Sequence, residues 1–210
     1  MKKGILFDLD GTLWDASEEV VAAWNQCLRE PLNRSEQITV SDMRRFMGKT
    51  LDEIAQMMLP HLPEAERLSI TKRCIEAEQT YLERHAPKLY PDEREIISEL
   101  AAQYTLGIVS NCQDGYIQLY MGQCGFAELF SDFECVGRTG KSKGENIRLV
   151  MARQRIEHCL YVGDTQHDCD AASKAGVPFV HAAYGFGDAD RCTASLRSLH
   201  DLPAAAARLL

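Results

Sequence analysis

Apolar and polar residues follow two different rhythms along this chain, and the change comes near residue 87. GILFD, residues 4–8, is a short apolar run that ends on an acid and reads as a strand. From Ser17 to about His85 the apolar positions recur at helical spacing, as in SEEVVAAWNQCLRE and SDMRRFMGKTLDEIAQMML. Ser17 and Ser41 are candidate helix N-caps. In PEAERLSITKRCIEAEQTYLERH, Leu68, Ile75 and Leu82 stand seven apart and predict one apolar face on a long helix.

Beyond Pro87 and Pro91 the pattern turns into short runs rich in β-branched and aromatic residues: YTLGIVSN, FECVG, CLYVGD and VPFVHA. Helical segments lie between them. Pro91 is placed to open PDEREIISELAAQ, where its missing N–H costs little, and Gly125 and Gly176 are placed to stop helices. The terminal PAAAARLL also reads as helix. Strands alternating with helices predict an α/β fold, a Rossmann-like doubly wound parallel sheet covered on both faces. Residues 1–16 and 88–210 are expected to form that core, and residues 17–87 an inserted α-helical cap domain.

Composition narrows the partners. The 210 residues are 45% hydrophobic and 26% charged, with a net charge of −8, and no polybasic run offers a nucleic-acid surface. The N-terminal apolar run meets Asp8 too soon for a secretory signal, and no stretch approaches the roughly 18 apolar residues of a membrane span. The eight cysteines form no C-x-x-C pair, so free thiols in a reducing cytoplasm are expected. The expected protein is cytoplasmic, a monomer or weak dimer, with neither nucleic acid nor membrane as a partner.

The chemistry lies where the strands end, since parallel sheets bind ligands beyond the carboxyl ends of their strands. After ILF come Asp8 and Asp10; after LGIV come Ser110 and Asn111; after CLYV come Gly163 and Asp164, with Asp168 four residues on. Four carboxylates in one crevice need a counter-charge. Hard oxygen donors of this kind select Mg²⁺. A lysine from GRTGKSKGENIRL would add to it, with Lys143 at a helix start preferred over Lys141.

DLDGT after a strand, then SN, then a lysine segment, then GDTQHD, together resemble the four-motif signature of the haloacid dehalogenase-like superfamily. The cap position resembles that of its phosphoglycolate phosphatase and β-phosphoglucomutase group. The resemblance covers nearly the whole chain and implies a phosphatase acting on a small phosphorylated metabolite. Under it Asp8 is the nucleophile that becomes an aspartyl phosphate, and Asp10 is the general acid and then the base. Mg²⁺ is implied on Asp8, the Asp10 carbonyl and Asp164, with Asp168 supporting the metal shell or orienting the lysine. Ser110 and Asn111 are implied phosphoryl ligands, and Gly11 and Thr12 shape the turn beside the phosphate. The group places a specificity loop in the cap, here at Gly48, Lys49 and Thr50 with Arg44 or Arg45 nearby. One departure stands out, because the group usually follows its lysine with proline and this chain reads GKSKGEN.

Phosphoglycolate or a sugar phosphate is the expected substrate type, with pyrophosphate a further small candidate. The alternatives are a β-phosphoglucomutase-like phosphotransferase and a non-catalytic binding protein that keeps the fold. Dehalogenation has no use for Asp10, and phosphonate cleavage would need a cap lysine such as Lys49 acting through a Schiff base.

Overall fold

The structure is a computed structural model and describes residues 1–30 and 32–210. The chain divides into two compact units, Met1–Trp14 with Leu89–Leu210, and Asp15–Lys88. Elements are numbered in chain order through both, and two-residue strands, β2 (Trp14–Asp15) and β3 (Lys88–Leu89), stand at the two crossings.

The first unit is a six-stranded sheet of β1 (Lys3–Phe7), β4 (Thr105–Ser110), β5 (Asp132–Cys135), β6 (His158–Gly163), β7 (Phe179–Ala182) and β8 (Ala194–Leu196). The strand order is β5-β4-β1-β6-β7-β8, and each neighbouring pair runs parallel. Helices α5 (Glu93–Ala101), α6 (Tyr116–Cys124), α7 (Val136–Thr139), α8 (Lys143–Gln154), α9 (Gln166–Ala175) and α10 (Leu202–Leu209) connect and follow the strands. This is the expected α/β, Rossmann-like core.

The strands form where the sequence is apolar in an unbroken run, as a sheet buried on both faces requires. Ile5, Leu6 and Phe7 are all fully buried at the centre of the sheet. Leu6, Val109 and Tyr161 pack there with Ile147 and Val150 of α8 and Ala172 of α9 in one cluster. The order reverses across β1: the chain goes to β4 and β5 on one side, then to β6, β7 and β8 on the other. That reversal opens a crevice at the carboxyl ends of β4, β1 and β6.

The second unit is helical, built of α1 (Ser17–Arg29), α2 (Val40–Phe46), α3 (Leu51–Met58) and α4 (Glu64–Leu82). Its buried stripe on α4 is Ile70, Cys74, Glu78 and Leu82, while Leu68 and Ile75 are only half-buried. The buried positions step along the helix by four, the i to i+4 spacing of one face, rather than by the expected seven. Glu78 is tolerated on that face because the Trp24 indole Nε1 donates to its Oε2 at 2.6 Å.

Several helix starts differ from expectation. Ala16, not Ser17, occupies the N-cap of α1, and the Ser17 hydroxyl donates to Asp15 instead. Thr39, not Ser41, caps α2, through a reciprocal bond with Asp42 that Ser41 has no partner three residues on to make. Pro91 stands two residues before α5, whose N-cap is Asp92. FECVG ends as a strand at Cys135 and turns into α7, and β8 was not legible because three residues on an edge carry no periodicity. No helix among the described residues is long and apolar enough to cross a membrane.

Candidate active site

Asp8 follows the last residue of β1 and is 2% exposed. The parallel register sets Phe7 level with Ile108 of β4 and Val162 of β6. Ser110 and Asp164 therefore lie one step past the residues level with Asp8, one on each side. Both are buried, and Asn111 beyond Ser110 is half-buried. The Asp8 amide donates to the Val162 carbonyl at 2.8 Å, which ties the strand ends together.

Two helix caps deliver the remaining charged groups. Ser142 and Glu145 form a reciprocal capping box that makes Lys143 the first residue of α8. From there the Lys143 ammonium, 4% exposed, donates to Asp8 Oδ1 at 2.8 Å and to Asp168 Oδ1 at 2.7 Å. Lys141 is exposed, so the structure brings Lys143 and not Lys141 to the carboxylates. Thr165 and Asp168 form a second capping box at the start of α9. Asp168 thus spends Oδ2 on the Thr165 amide (3.0 Å) and hydroxyl (2.6 Å), and turns Oδ1 to Lys143. Asp164 directly precedes this cap, and the three-residue step from Thr165 to Asp168 places the second acid four residues after the first.

Electrostatics follow from one ammonium among three buried carboxylates. Ligand oxygens of Asp8, Asp164 and Asp168 all lie within 4.8 Å of one another. Burial, then the Asp168 charge, pushes the Asp8 carboxyl up to about 6 against the pull of Lys143. Asp164 is pushed well above the carboxylate range by burial and by Asp168 and Asp8. Burial opposes ionisation of Asp168 too, but Lys143 and the Thr165 donors outweigh it and hold its pKa below the ordinary value. Burial also opposes the charge on Lys143, and the two carboxylates override it and raise its pKa.

The arrangement leaves a place for a second cation. Asp164 Oδ2 accepts the Phe186 amide at 2.8 Å, whereas its Oδ1 is buried with no hydrogen-bond partner. A buried, unsatisfied carboxylate oxygen among like charges is costly unless a cation meets it. All-oxygen donors suit a hard divalent ion, so Asp8 and Asp164 could hold Mg²⁺. The Thr12 hydroxyl is also buried without a partner, beside Gly11, whose φ of +80° shapes the turn after Asp10.

Asp10 is half-buried, and its Oδ1 accepts two donors, Trp14 Nε1 at 2.9 Å and the Tyr116 hydroxyl at 3.0 Å. Gly48 and Lys49 belong to the helical unit, at the turn between α2 and α3, where Gly48 takes a φ of +75° and Thr50 caps α3. Cys112, just after Asn111, has its thiol pushed well above the ordinary value by burial and by the neighbouring Cys135, so it is a poor nucleophile.

The family is now decided. Residues 5–182 match the model of the haloacid dehalogenase-like hydrolases. The chain belongs to that family. It is 29% identical over 195 residues to a phosphoglycolate phosphatase of Xanthomonas campestris pv. campestris, covering 90% of this chain and 87% of the relative. A phosphoglycolate phosphatase of Cereibacter sphaeroides is 26% identical over 206 residues, with 95% and 90% covered. Among solved structures, a predicted phosphoglycolate phosphatase from Haemophilus somnus 129pt superposes with a TM-score of 0.84 at 23% identity, covering 97% of each chain.

Sequence reasoning missed several residues of this hydrolase site. Trp14 is fully buried against Tyr116 and Tyr120, edge to face at 5.4 and 5.2 Å. In the loop at residues 185–188 the Phe186 amide donates to Asp164, and a methyl on Gly185 would overlap both Asp164 and the Gly11 carbonyl oxygen. Gly185→Ala should therefore displace Asp164, costing about 1–3 kcal/mol of stability by overpacking. A thermal melt beside steady-state turnover checks this, with activity expected to fall by about tenfold or more if the Asp164 carboxylate moves.

Proposed function

We propose that the chain is a Mg²⁺-dependent phosphohydrolase that cleaves a small phosphate monoester through an aspartyl phosphate on Asp8. The observation that carries this reading is the buried set of Asp8, Asp164 and Asp168 around Lys143, with Asp164 Oδ1 unsatisfied. In water phosphate monoesters hydrolyse so slowly that enzymes of this type lower the barrier by about 20 kcal/mol or more. Charge compensation and positioning must supply most of that.

Asp8 attacks phosphorus as the ester oxygen leaves, and Asp10 gives that oxygen a proton. Asp10 then takes a proton from the water that attacks the aspartyl phosphate, which frees Asp8 and inorganic phosphate. Lys143 bridges Asp8 and Asp168, aims the nucleophilic carboxylate and offsets the charge that builds on the phosphoryl oxygens. Ser110 and Asn111 bind those oxygens, and the Gly11–Thr12 turn holds them close to the backbone. Mg²⁺ held by Asp8, Asp164 and the Asp10 carbonyl would supply the positive charge that lets an anionic carboxylate approach an anionic phosphate.

The helical unit is proposed as the cap, with Gly48 and Lys49 reading the leaving group. Phosphoglycolate is the leading substrate, supported by the names and near full-length coverage of the curated relatives. A cytoplasmic location fits the eight free cysteines.

Phosphate release from 2-phosphoglycolate, sugar phosphates and pyrophosphate, with Mg²⁺ and then with excess EDTA, tests the proposal. Phosphoglycolate is expected to give the highest kcat/KM, and EDTA to abolish turnover on every ester. Undiminished hydrolysis in EDTA would remove the metal from the account, and a clear preference for another ester would replace the substrate.

A further inference from the structure

Asp10 has an unusual reception around one of its oxygens. The Trp14 indole N–H and the Tyr116 hydroxyl, 102 residues apart in the chain, both end on Oδ1, at 2.9 and 3.0 Å. Neither donor can drift easily. Trp14 is fully buried and Tyr116 is 2% exposed. The backbone turn anchors Trp14 at both ends: the Gly11 amide donates to its carbonyl at 2.9 Å, and its own amide donates to Leu9 at 3.3 Å. Its ring lies edge-on to Tyr116 and Tyr120, and the Tyr120 hydroxyl is fixed in turn on buried Glu93 at 2.6 Å. Three aromatic rings from two separate chain segments are thus assembled beside one half-buried carboxyl.

A wall built only for packing would not need both polar edges to converge on the same carboxylate oxygen. Two convergent donors remove rotational freedom from a short side chain and make its two oxygens inequivalent. Oδ1 is committed as an acceptor, so the transferable proton is directed to Oδ2.

Resting on the reading of Asp10 as general acid, we infer that Trp14 and Tyr116 are positioning residues that set the direction in which Asp10 delivers its proton. This orientation matters in proportion to how much the leaving oxygen needs a proton. An alkyl ester leaves as a strongly basic alkoxide and depends on the acid, whereas p-nitrophenolate leaves unaided. General acid catalysis as a whole contributes about 10²- to 10⁴-fold, so losing one of two orienting bonds should cost about tenfold on a substrate that needs it.

The test uses Tyr116→Phe, which keeps the ring in the aromatic wall and deletes only the hydroxyl, and Trp14→Phe as a second variant monitored by thermal melting. For each, kcat/KM is measured on a small alkyl phosphate, 2-phosphoglycolate, and on p-nitrophenyl phosphate. This ratio stops at the step that phosphorylates Asp8, so it isolates leaving-group protonation from the later hydrolysis shared by all substrates. The expected result is a fall of about tenfold on the alkyl ester against less than about threefold on the nitrophenyl ester. An equal loss on both esters, or no loss on either, would overturn the positioning role and leave the bonds as packing. Asp8→Asn and Asp10→Asn run alongside: turnover of the alkyl ester that survives in them would show that the underlying catalytic reading, not the positioning claim, is at fault.

Discussion

Asp8→Asn is expected to lower turnover by about 10³-fold or more on every substrate, because an amide has no anionic oxygen to attack phosphorus. The substitution is nearly isosteric, and the Asn carbonyl oxygen can still accept from Lys143 at the site that Asp8 Oδ1 occupies. Stability should not fall with activity. Burial, and after it the charge of Asp168, pushes the Asp8 carboxyl up to about 6, so removing its charge relieves the cluster of three acids. Steady-state phosphate release and a thermal melt on the same sample separate the two effects. A melting temperature at or above wild type with activity lost is the expected pair of results.

Lys143→Met should do the opposite to stability. Methionine fills most of the volume but leaves Asp8, Asp164 and Asp168 buried without their one ammonium. Breaking a buried charge network by removing one partner costs about 3–5 kcal/mol. The sign of its pH dependence follows from linkage. The folded Asp8 pKa is raised, so the folded state binds more protons than the unfolded state between the ordinary carboxylate value and about 6, and stability falls as pH rises through that window. Without Lys143 the pull that opposes this shift is gone. The gap between variant and wild type should therefore be smaller at pH 4 to 5, where the variant can protonate acids that have lost their cation, and widest near pH 8. Denaturant unfolding at both pH values measures it, and turnover should be lost alongside because Asp8 is no longer aimed. A gap independent of pH would mean that Lys143 is held by packing rather than by charge.

Much of this site was legible in the sequence because local rules set it. DLDGT at a strand end gave Asp8 and Asp10, and the S-x-x-E of Ser142 and Glu145 is a capping signature that puts Lys143 on the first turn of α8. The T-x-x-D of Thr165 and Asp168 carries the same signature and could have assigned the two oxygens of Asp168 in advance. The misjudged helix starts at Ser17 and Ser41 show its converse: a serine is a weak signal without an acid three residues on. What remained hidden depends on contacts across the chain. Tyr116 reaches Asp10 over 106 residues, and Phe186 reaches Asp164 over 22, through loop geometry with no periodicity to announce it.

The central claim, a phosphoryl group carried on Asp8, is tested most directly by trapping it. Asp10→Asn is mixed with a phosphate ester whose leaving group needs no proton, quenched in acid within milliseconds and reduced with borohydride. Asp10 is the proposed base for the hydrolytic step, so phosphoenzyme should accumulate, and peptide mass spectrometry should find homoserine at position 8. Homoserine at another aspartate, or free leaving group released in a burst with Asp8 unmodified, would contradict the mechanism.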